Sequence, residues 1–390
     1  MLCSVLDSVL VALGAGSLMA WLYLVLLHGG FWRCDQRLGD APAPAAWPAV
    51  TAVVPARDEA EVIAASVGSL LDQDYPGTFA IVLVDDHSAD GTAEIARETA
   101  ARHPRGQRLT VVAAGELPAG WVGKPWAVAS GVKMAGESEL LLLTDADVVH
   151  SPSNLRRLVS KAQAEGLDLA SLMVLLEHRA GWEKLLIPAF VYFFQQLYPF
   201  RRVNRPAART AGAAGGCMLV RARALAAAGG VAAIRGELID DCALARLLKR
   251  RGRIWLGLTE SERSVRPYGG LGGVWRMVAR TAYTQLRRSP WLLAGTAAAL
   301  AWIYLGPPLL ALGWPLHGHA AAAVLGGAAW LLMAVTFLPT LRLYRRSPAW
   351  ALALPLAGVL YLGMTVDSAW RHGRRRGGGW KGRTLANPPP

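Results

Sequence analysis

Short apolar runs alternate with longer polar or amphipathic segments through the middle of the chain. The segments between the runs carry helical spacing at about 58–71, 90–101, 124–134 and 152–165, and the apolar runs begin near Val50, Phe79, Leu109, Leu140 and Leu167. Unbroken apolar runs of this length are typical of strands buried on both faces of a parallel sheet. Four successive strand–helix units therefore predict a mostly parallel α/β sheet with right-handed crossovers.

Long apolar segments lie at both ends of the chain. Residues 5–27 are almost entirely apolar, and three further segments follow at 291–314, 320–340 and 350–370. Each is long enough to cross a bilayer core of about 30 Å. No Lys or Arg precedes Arg33, whereas Arg33 and Arg37 follow the first segment. The sequence therefore predicts a signal anchor, with the next domain in the cytoplasm.

The topology of the C-terminal end stays open. Three crossings from Arg287 and Arg288 would place the basic tail, residues 371–383, outside, although its charge is typical of a cytoplasmic segment. Pro355 and Gly358 would allow a re-entrant helix that removes this conflict.

Residues 181–202 interrupt the strand–helix rhythm. The segment contains Pro188 and Pro199, is rich in aromatic residues and ends in Arg201 and Arg202. This pattern predicts a helix in the headgroup region of a membrane. The alternative is a buried helical hairpin of the soluble core.

Composition supports a membrane protein. Hydrophobic residues make up 53% of the 390 residues and charged ones only 18%, while the net charge is +13. That charge alone suits nucleic acid or an anionic membrane surface, but many basic residues flank apolar segments, which favours the membrane. The four cysteines lack metal-ligand spacing and indicate neither a zinc site nor a disulfide framework.

Two carboxylates end the fourth apolar run, which reads LLLLTDADVV. In an extended chain Asp145 and Asp147 would point to the same side of the sheet edge. Ligands bind at this edge in open α/β sheets, and hard oxygen atoms suit Mg²⁺ or Mn²⁺. The alternative is a surface turn that caps the next helix.

Acidic residues also follow the first two runs. Asp58 and Glu59 come after the first run, where Asp58 is a candidate helix cap, and Asp85 and Asp86 end the second. No Gly-x-Gly-x-x-Gly motif or phosphate-binding loop accompanies them, which argues against a dinucleotide-binding oxidoreductase.

A later acidic pair, Asp240 and Asp241, opens a helix that ends in basic residues. Asp240 would serve as a helix cap, or Asp241 would serve as a general base toward an acceptor hydroxyl.

In this order, the motifs VVPARDE, LVDDHSADGT, LLLTDADV and Asp-Asp-x-x-Leu resemble those of family 2 glycosyltransferases with the GT-A fold. The stretches GWVGKPWAVASGV, GWEKLLIPAFVYFFQQLYPF, RMVARTAYTQLR and WKGR resemble the membrane-bound hopene-associated glycosyltransferases of bacteria, which are similar to ceramide glucosyltransferases.

The resemblance implies a set of site residues. Asp145 and Asp147 would hold a divalent metal, Mg²⁺ or Mn²⁺, and the donor diphosphate. Asp241 would be the catalytic base, with Asp240 where Glu is usual. Residues Pro55, Arg57 and Glu59 would line the nucleotide pocket. Asp85 or Asp86 would recognise the uracil or ribose, and Lys124 would lie near the donor.

One departure from the family pattern bears on the acceptor. Many membrane members carry Gln/Arg-x-x-Arg-Trp, but this chain retains only Arg280 of that motif, as a candidate for stabilising the leaving diphosphate. This favours transfer of a single sugar to a lipid over polymer synthesis.

The resulting hypothesis is an inverting, metal-dependent transferase that moves a sugar from a nucleotide-sugar donor to a membrane lipid such as a hopanoid. The expected donor is UDP-linked. The alternatives are a polyprenyl-phosphate sugar transferase and an inactive membrane scaffold.

The predicted architecture is a multi-pass protein of the bacterial inner membrane. An anchor at 1–30 precedes a cytoplasmic GT-A domain at 48–288, which has a mixed, mainly parallel sheet. Transmembrane or re-entrant helices at 291–370 and a basic tail at 371–390 follow.

Overall fold

The computed structural model describes residues 2–179, 181–374, 379–380 and 383–384. Their contacts divide the chain into two compact units. Of the described residues, the sheet unit contains 35–177 and 202–267 together with the strand pair near the C-terminus, and the helical unit contains 2–34, 178–179, 181–201 and 268–374. The chain thus enters the helical unit three times, and residues 178–201 and 268–288 of the predicted catalytic domain group with that unit.

Ten strands are present in the described residues, and the first eight form one sheet. The strands are β1 Val50–Ala56, β2 Phe79–Asp85, β3 Leu109–Ala113, β4 Leu140–Thr144, β5 Val148–Val149, β6 Leu169–Leu175, β7 Cys217–Arg221, β8 Ile254–Ser264, β9 Gly379–Trp380 and β10 Arg383–Thr384.

Sixteen α-helices are present in the same residues. They are α1 Leu2–Leu26, α2 Ile63–Leu71, α3 Thr92–Ala101, α4 Gly123–Met134, α5 Asn154–Glu165, α6 Glu183–Leu197, α7 Phe200–Asn204, α8 Ala222–Ala227, α9 Asp240–Lys249, α10 Leu271–Ala279, α11 Ala282–Gln285, α12 Pro290–Leu300, α13 Gly306–Leu312, α14 Trp314–His317, α15 Ala320–Leu343 and α16 Leu354–Gly373.

The large sheet is mixed and mainly parallel, which confirms the predicted fold class. Its order is β3-β2-β1-β4-β7-β6-β8-β5. Strands β3, β2, β1 and β4 run parallel, as do β6 and β8, whereas β7 is antiparallel to both of its neighbours and β5 to β8. Ala56 pairs with Asp85, and Asp85 pairs with Ala113, so β1, β2 and β3 end at one edge.

The sheet is covered on both faces, which explains why the sequences of its strands are apolar runs. Every residue of β1 and of β4 is buried. Helices α2, α3 and α5 contribute to the main core on one side, while Ala127 of α4 packs with Val82 and Val84 in a smaller cluster. Buried side chains such as Leu70 each contribute about 1.5–3 kcal/mol relative to exposure.

Asp58 does not cap a helix. Helix α2 begins only at Ile63, after Val62, and no side chain caps it. The Asp58 carboxylate instead accepts a hydrogen bond from the Ala89 amide at 2.9 Å. Because Asp58 itself adopts a left-handed conformation (φ 50°), the chain turns sharply here and the helix starts later.

Within the part of the chain that the structure describes, four helical segments are long and apolar enough to cross a membrane, which confirms the prediction of apolar helices at both ends. They span residues 7–26, 290–312, 320–343 and 348–373. A π-helical turn, Ala301–Leu305, joins α12 to α13. Pro355 lies in the first turn of α16, where a missing amide is tolerated, and α16 continues past Gly358 to Gly373.

Helix α6 occupies the segment predicted to lie at the headgroups. Most of its residues are buried within the helical unit, including Leu186 and Tyr192. The Tyr361 hydroxyl donates to the Leu186 carbonyl at 2.9 Å, and Tyr192 and Thr336 share a hydrogen bond of 2.7 Å. The segment therefore packs with the apolar helices of its own unit. Its depth in a bilayer stays a prediction.

Candidate active site

The carboxyl ends of β1 and β2 bring together residues predicted to bind the nucleotide. Arg57 follows β1 and lies 3.7 Å, from Nη1 to Oδ2, from the buried Asp86 that follows β2. Asp85 accepts one long hydrogen bond, at 3.4 Å, from the Ser88 amide. Its other oxygen, Oδ1, is buried and accepts none from any described residue. An unsatisfied buried oxygen is costly, so Asp85 is suited to accept from a ligand.

Asp145, Ala146 and Asp147 lie in a turn, not in an extended strand. Strand β4 ends at Thr144, and the Val148 amide donates to the Asp145 carbonyl at 3.3 Å to close the turn. The expectation that alternation along a strand aligns the two carboxylates is therefore wrong. The capping alternative is also wrong, because Ser153 precedes α5.

Lys124, in the first turn of α4, holds the acidic residues together. Its Nζ lies 2.7 Å from Asp145 Oδ1 and 3.6 Å from Asp240 Oδ2. Burial alone would lower the pKa of Lys124, but Asp145 and Asp240 raise that pKa above its usual value. The ammonium is therefore fully charged, and it joins two acidic sites that lie far apart in the sequence. Asp240 is the first residue of α9 and pairs with Lys124, so the capping alternative for Asp240 is wrong.

Asp241 faces the same cluster from the start of α9. Its Oδ2 accepts a hydrogen bond from the Gly215 amide at 2.9 Å, and its Oδ1 accepts one from the Cys242 amide at 2.6 Å. Burial, together with the neighbouring charge of Asp240, raises the pKa of Asp241 to about 6. A carboxyl group with this pKa can accept a proton near neutral pH and release it afterwards.

A narrow cleft adjoins these side chains. Its polar side chains include Lys124, Thr144, Asp145 and Asp240, and Gly215 lies beside them. Its remaining wall is apolar, and the lining residues there are Pro55, Pro125, Val128, Leu143, Met218, Val231, Ile234 and Leu244. Pro55 thus lies beside the acidic cluster, and its place in a nucleotide pocket stays a prediction.

Arg266 is a site residue that the sequence pattern did not identify. It lies two residues after β8, and its guanidinium contacts both Asp147 and Glu59. Glu59, predicted to line the nucleotide pocket, is almost fully buried and is engaged by this arginine. Strand β8 has the sequence IWLGLTESERS, with charged residues in its second half. A search for unbroken apolar runs therefore does not find this strand.

Arg280 belongs to the helical unit. It is exposed and follows the last residue of α10. Its assignment to the leaving diphosphate stays a prediction.

The acidic residues fit a divalent metal that is shared with a substrate. In the described part of the chain, no group of three or more His, Cys, Asp or Glu side chains is arranged to hold a metal by itself. Mg²⁺ and Mn²⁺, however, are commonly bound through one or two carboxylates, with phosphate oxygens and water completing the coordination. Asp145 and Asp147 supply two such carboxylates on a single turn.

Comparison with known proteins identifies the class of this chain. Residues 48–287 match the family described as glycosyltransferase like family 2. Because the match covers more than half of the chain, the chain belongs to this family, and it is a glycosyltransferase. The sheet unit has the GT-A fold, so the predicted fold class and enzyme class are both confirmed.

Two individual proteins illustrate the likeness. The chain is 31% identical over 134 residues to an N-acetylglucosaminyltransferase of Mesorhizobium japonicum, a match that covers 34% of this chain and 30% of that protein. Less than a third of that curated relative's length is therefore matched. The fold is also similar to a mannosyltransferase from Pyrobaculum calidifontis in complex with GDP-Man and Mn²⁺, with a TM-score of 0.55, 20% identity, and coverage of 93% of this chain and 98% of that one.

Proposed function

We propose that this glycosyltransferase moves a single sugar from a nucleotide-sugar, UDP-linked in our hypothesis, to a hydroxyl group of a membrane lipid, with inversion at the anomeric carbon. A polycyclic lipid alcohol of the hopanoid class is the proposed acceptor, on the basis of the sequence resemblance. The proposed location is the inner membrane of a bacterium, with the sheet unit in the cytoplasm.

The observation that carries the proposal is the cluster around Lys124. The Asp-x-Asp turn after β4 and the Asp-Asp pair at the start of α9 meet at one ammonium group. Lys124 thus links Asp145 of the proposed donor-binding turn to Asp240, the neighbour of the candidate base Asp241. General acid–base catalysis requires this proximity before any matching of pKa values.

The proposed chemistry is a direct displacement. Asp241 accepts the proton of the acceptor hydroxyl, and the oxygen attacks the anomeric carbon. The bond from that carbon to the phosphate oxygen breaks, and the nucleoside diphosphate leaves with the bonding electron pair. Attack on the opposite face inverts the anomeric configuration.

The remaining site residues are assigned to the donor. Asp85 and Asp86 would recognise the base or ribose, beside Pro55 and Arg57. Asp145 and Asp147 would hold Mg²⁺ or Mn²⁺, which when bound neutralises charge on the departing diphosphate. The mannosyltransferase with a similar fold is in complex with GDP-Man and Mn²⁺, which supports a nucleotide-sugar donor and a divalent metal here.

A lipid acceptor is supported by the four apolar helical segments, which could hold the enzyme at a membrane where such acceptors reside. The basic residues that flank these segments support an orientation with the sheet unit in the cytoplasm.

The test uses membranes that contain the full-length protein. They are incubated with Mn²⁺ and a panel of UDP- and GDP-sugars, after supplementation with either a hopanoid alcohol or a polyprenyl phosphate, and lipid extracts are analysed by mass spectrometry. We expect a glycosylated lipid alcohol from one donor. Asp241→Asn should abolish the product while retaining donor binding, and Asp74→Asn, a change at an exposed ion pair with Arg156, should have no effect.

The outcomes separate the alternatives. Transfer only to the polyprenyl phosphate would replace the hydroxyl acceptor with a phosphate acceptor, which needs no strong base. Absence of any lipid product would reject the proposal. Transfer retained by Asp241→Asn with the lipid alcohol would remove Asp241 from its role as base.

A further inference from the structure

Arg266 joins two carboxylates at the edge of the sheet. Its Nη2 donates to both oxygens of Glu59, at 2.6 and 2.7 Å, and its Nε donates to Asp147 Oδ2 at 2.8 Å. The Ser264 hydroxyl donates to the same Asp147 oxygen at 2.9 Å. Oδ2 of Asp147 is therefore already occupied by two donors.

The two carboxylates differ in what they keep if the guanidinium moves. Glu59 is almost fully buried, and both of its carboxylate oxygens contact Arg266 Nη2. Asp147 Oδ2 accepts from Arg266 Nε and also from the Ser264 hydroxyl, so it keeps a hydrogen-bond donor when Nε leaves. The contact with Asp147 is therefore the one that we expect to exchange.

The guanidinium of Arg266 could also donate hydrogen bonds to a ligand. Its side chain is 33% exposed, and Nη1 has no hydrogen-bond partner in the described part of the protein. Guanidinium groups pair well with phosphate because they stay charged and donate several hydrogen bonds. Nη1 and the exchangeable Nε lie on different edges of the guanidinium plane, so each could donate one hydrogen bond to a diphosphate oxygen while Nη2 stays on Glu59.

Each carboxylate of the Asp-x-Asp turn carries a side-chain cation. Lys124 pairs with Asp145, and Arg266 pairs with Asp147. A divalent metal arriving alone would meet these two positive charges and would compete with them for the carboxylates. A diphosphate arriving with the metal supplies new oxygen partners for the displaced cations.

We propose that Arg266 binds the diphosphate of the donor, and that in the absence of donor it is held in place as the counter-ion of Asp147. Glu59 anchors the guanidinium in both states. The proposal rests on the proposed function, because it places a nucleoside diphosphate and a divalent metal at this turn. Its consequence is that nucleotide and metal each raise the affinity for the other, by the same factor.

The experiment measures binding to the full-length protein in detergent micelles. Mn²⁺ binding is followed through the electron paramagnetic resonance signal of the free ion, and UDP and GDP binding by titration calorimetry, each with and without the other ligand. The variant is Arg266→Gln. The matched control is Arg253→Gln, at an exposed arginine that precedes β8 at its opposite end.

In the unmodified protein we expect Mn²⁺ and the nucleotide to raise each other's affinity by about 10-fold or more. In Arg266→Gln, Mn²⁺ alone should bind about threefold more tightly because a competing cation is gone. The nucleotide affinity in the presence of Mn²⁺ should fall by about 10-fold, and the coupling should shrink accordingly. Arg253→Gln should match the unmodified protein.

Weaker binding of Mn²⁺ alone by Arg266→Gln, or unchanged coupling, would overturn the proposal. Independent binding of Mn²⁺ and nucleotide by the unmodified protein would overturn this proposal alone, whereas failure to bind any nucleotide with Mn²⁺ would reject the proposed function as well. If Arg266→Gln does not fold, Arg266→Lys keeps the charge but donates from a single nitrogen atom. Mn²⁺ alone should then bind as in the unmodified protein, while the nucleotide affinity in the presence of Mn²⁺ should fall, and a nucleotide affinity equal to that of the unmodified protein would overturn the proposal.

Discussion

Lys124 and Asp145 form an ion pair of 2.7 Å between the first turn of α4 and the turn that follows β4. The same ammonium lies 3.6 Å from Asp240 at the start of α9. One charged side chain thus holds the proposed donor motif near the proposed base, which makes Lys124 the first residue to test.

Replacing Lys124 with Met should reduce sugar transfer by about 100-fold or more, because it removes a preorganised positive charge from the site. The free energy of unfolding should fall by about 1–3 kcal/mol, since Asp145 and Asp240 lose their cation. Lys133→Met, at an exposed position of the same helix, is the control. Transfer rates and thermal melts of both variants check the prediction, and equal rates in the two variants would exclude Lys124 from the site.

The sequence pattern locates the parallel half of the sheet well but misses part of the site. Runs such as Leu140–Thr144 are buried on both faces, so the residues alone identify them. Strands β7 and β8 are not detected: β7 has five residues, as β4 has, but does not follow the strand–helix alternation, and β8 ends in charged residues. Arg266 follows β8 and was missed for the same reason.

The geometry of the Asp-x-Asp motif illustrates a second limit. The sequence places Asp145 and Asp147 at the sheet edge, but their backbone is a turn fixed by contacts from a distant part of the chain. The Val265 amide donates to the Asp147 carbonyl at 2.8 Å, and the Ser264 hydroxyl donates to its carboxylate. The alternation of side chains along a strand is a local pattern, and it cannot predict a conformation that depends on residues more than a hundred positions away.

His150 supports this turn from the interior. The Thr144 hydroxyl donates to the Gly216 carbonyl at 2.7 Å, so His150 Nε2 must donate to Thr144 Oγ1, at 2.9 Å. His150 Nδ1 then accepts from the Asn154 amide group at 3.0 Å. Only the neutral ring satisfies this arrangement. Burial accordingly lowers the pKa of His150 to about 4.

This pKa gives a stability prediction with a defined sign. Between about pH 4 and pH 6.5 the unfolded chain binds a proton at His150 and the folded chain does not, so stability falls as the pH falls through this window. The loss attributable to His150 should approach about 3 kcal/mol at the lower end. Denaturant unfolding from pH 7 to pH 4 measures it. His150→Gln should lose this part of the pH dependence, and an unchanged slope in the variant would contradict the assignment.

Two helical glycines give a matched packing test. A Cβ atom on Gly131 of α4 would lie 2.4 Å from Val53 Cγ1 and 2.9 Å from Val84 Cγ2, whereas one on Gly68 of α2 would meet no atom within 4 Å. Gly131→Ala should therefore lower the free energy of unfolding by about 1–3 kcal/mol through overpacking. Gly68→Ala should raise it by about 0.5–1 kcal/mol, because alanine favours the helix. Denaturant titrations of both variants check the signs, and a stabilised Gly131→Ala would show that α4 packs less tightly on β1 and β2 than described.

The pH dependence of sugar transfer tests the proposed base. Asp241 must be ionised to accept a proton, and its pKa is raised to about 6 by burial and by the adjacent Asp240. Transfer measured as kcat/KM should therefore rise with pH through a midpoint near 6 and level off above it. Asp240→Asn removes the neighbouring negative charge, so the midpoint should move to lower pH even if the maximal rate falls. Asp74→Asn should leave the profile unchanged. A midpoint that stays near 6 in Asp240→Asn would assign the titration to a group other than Asp241.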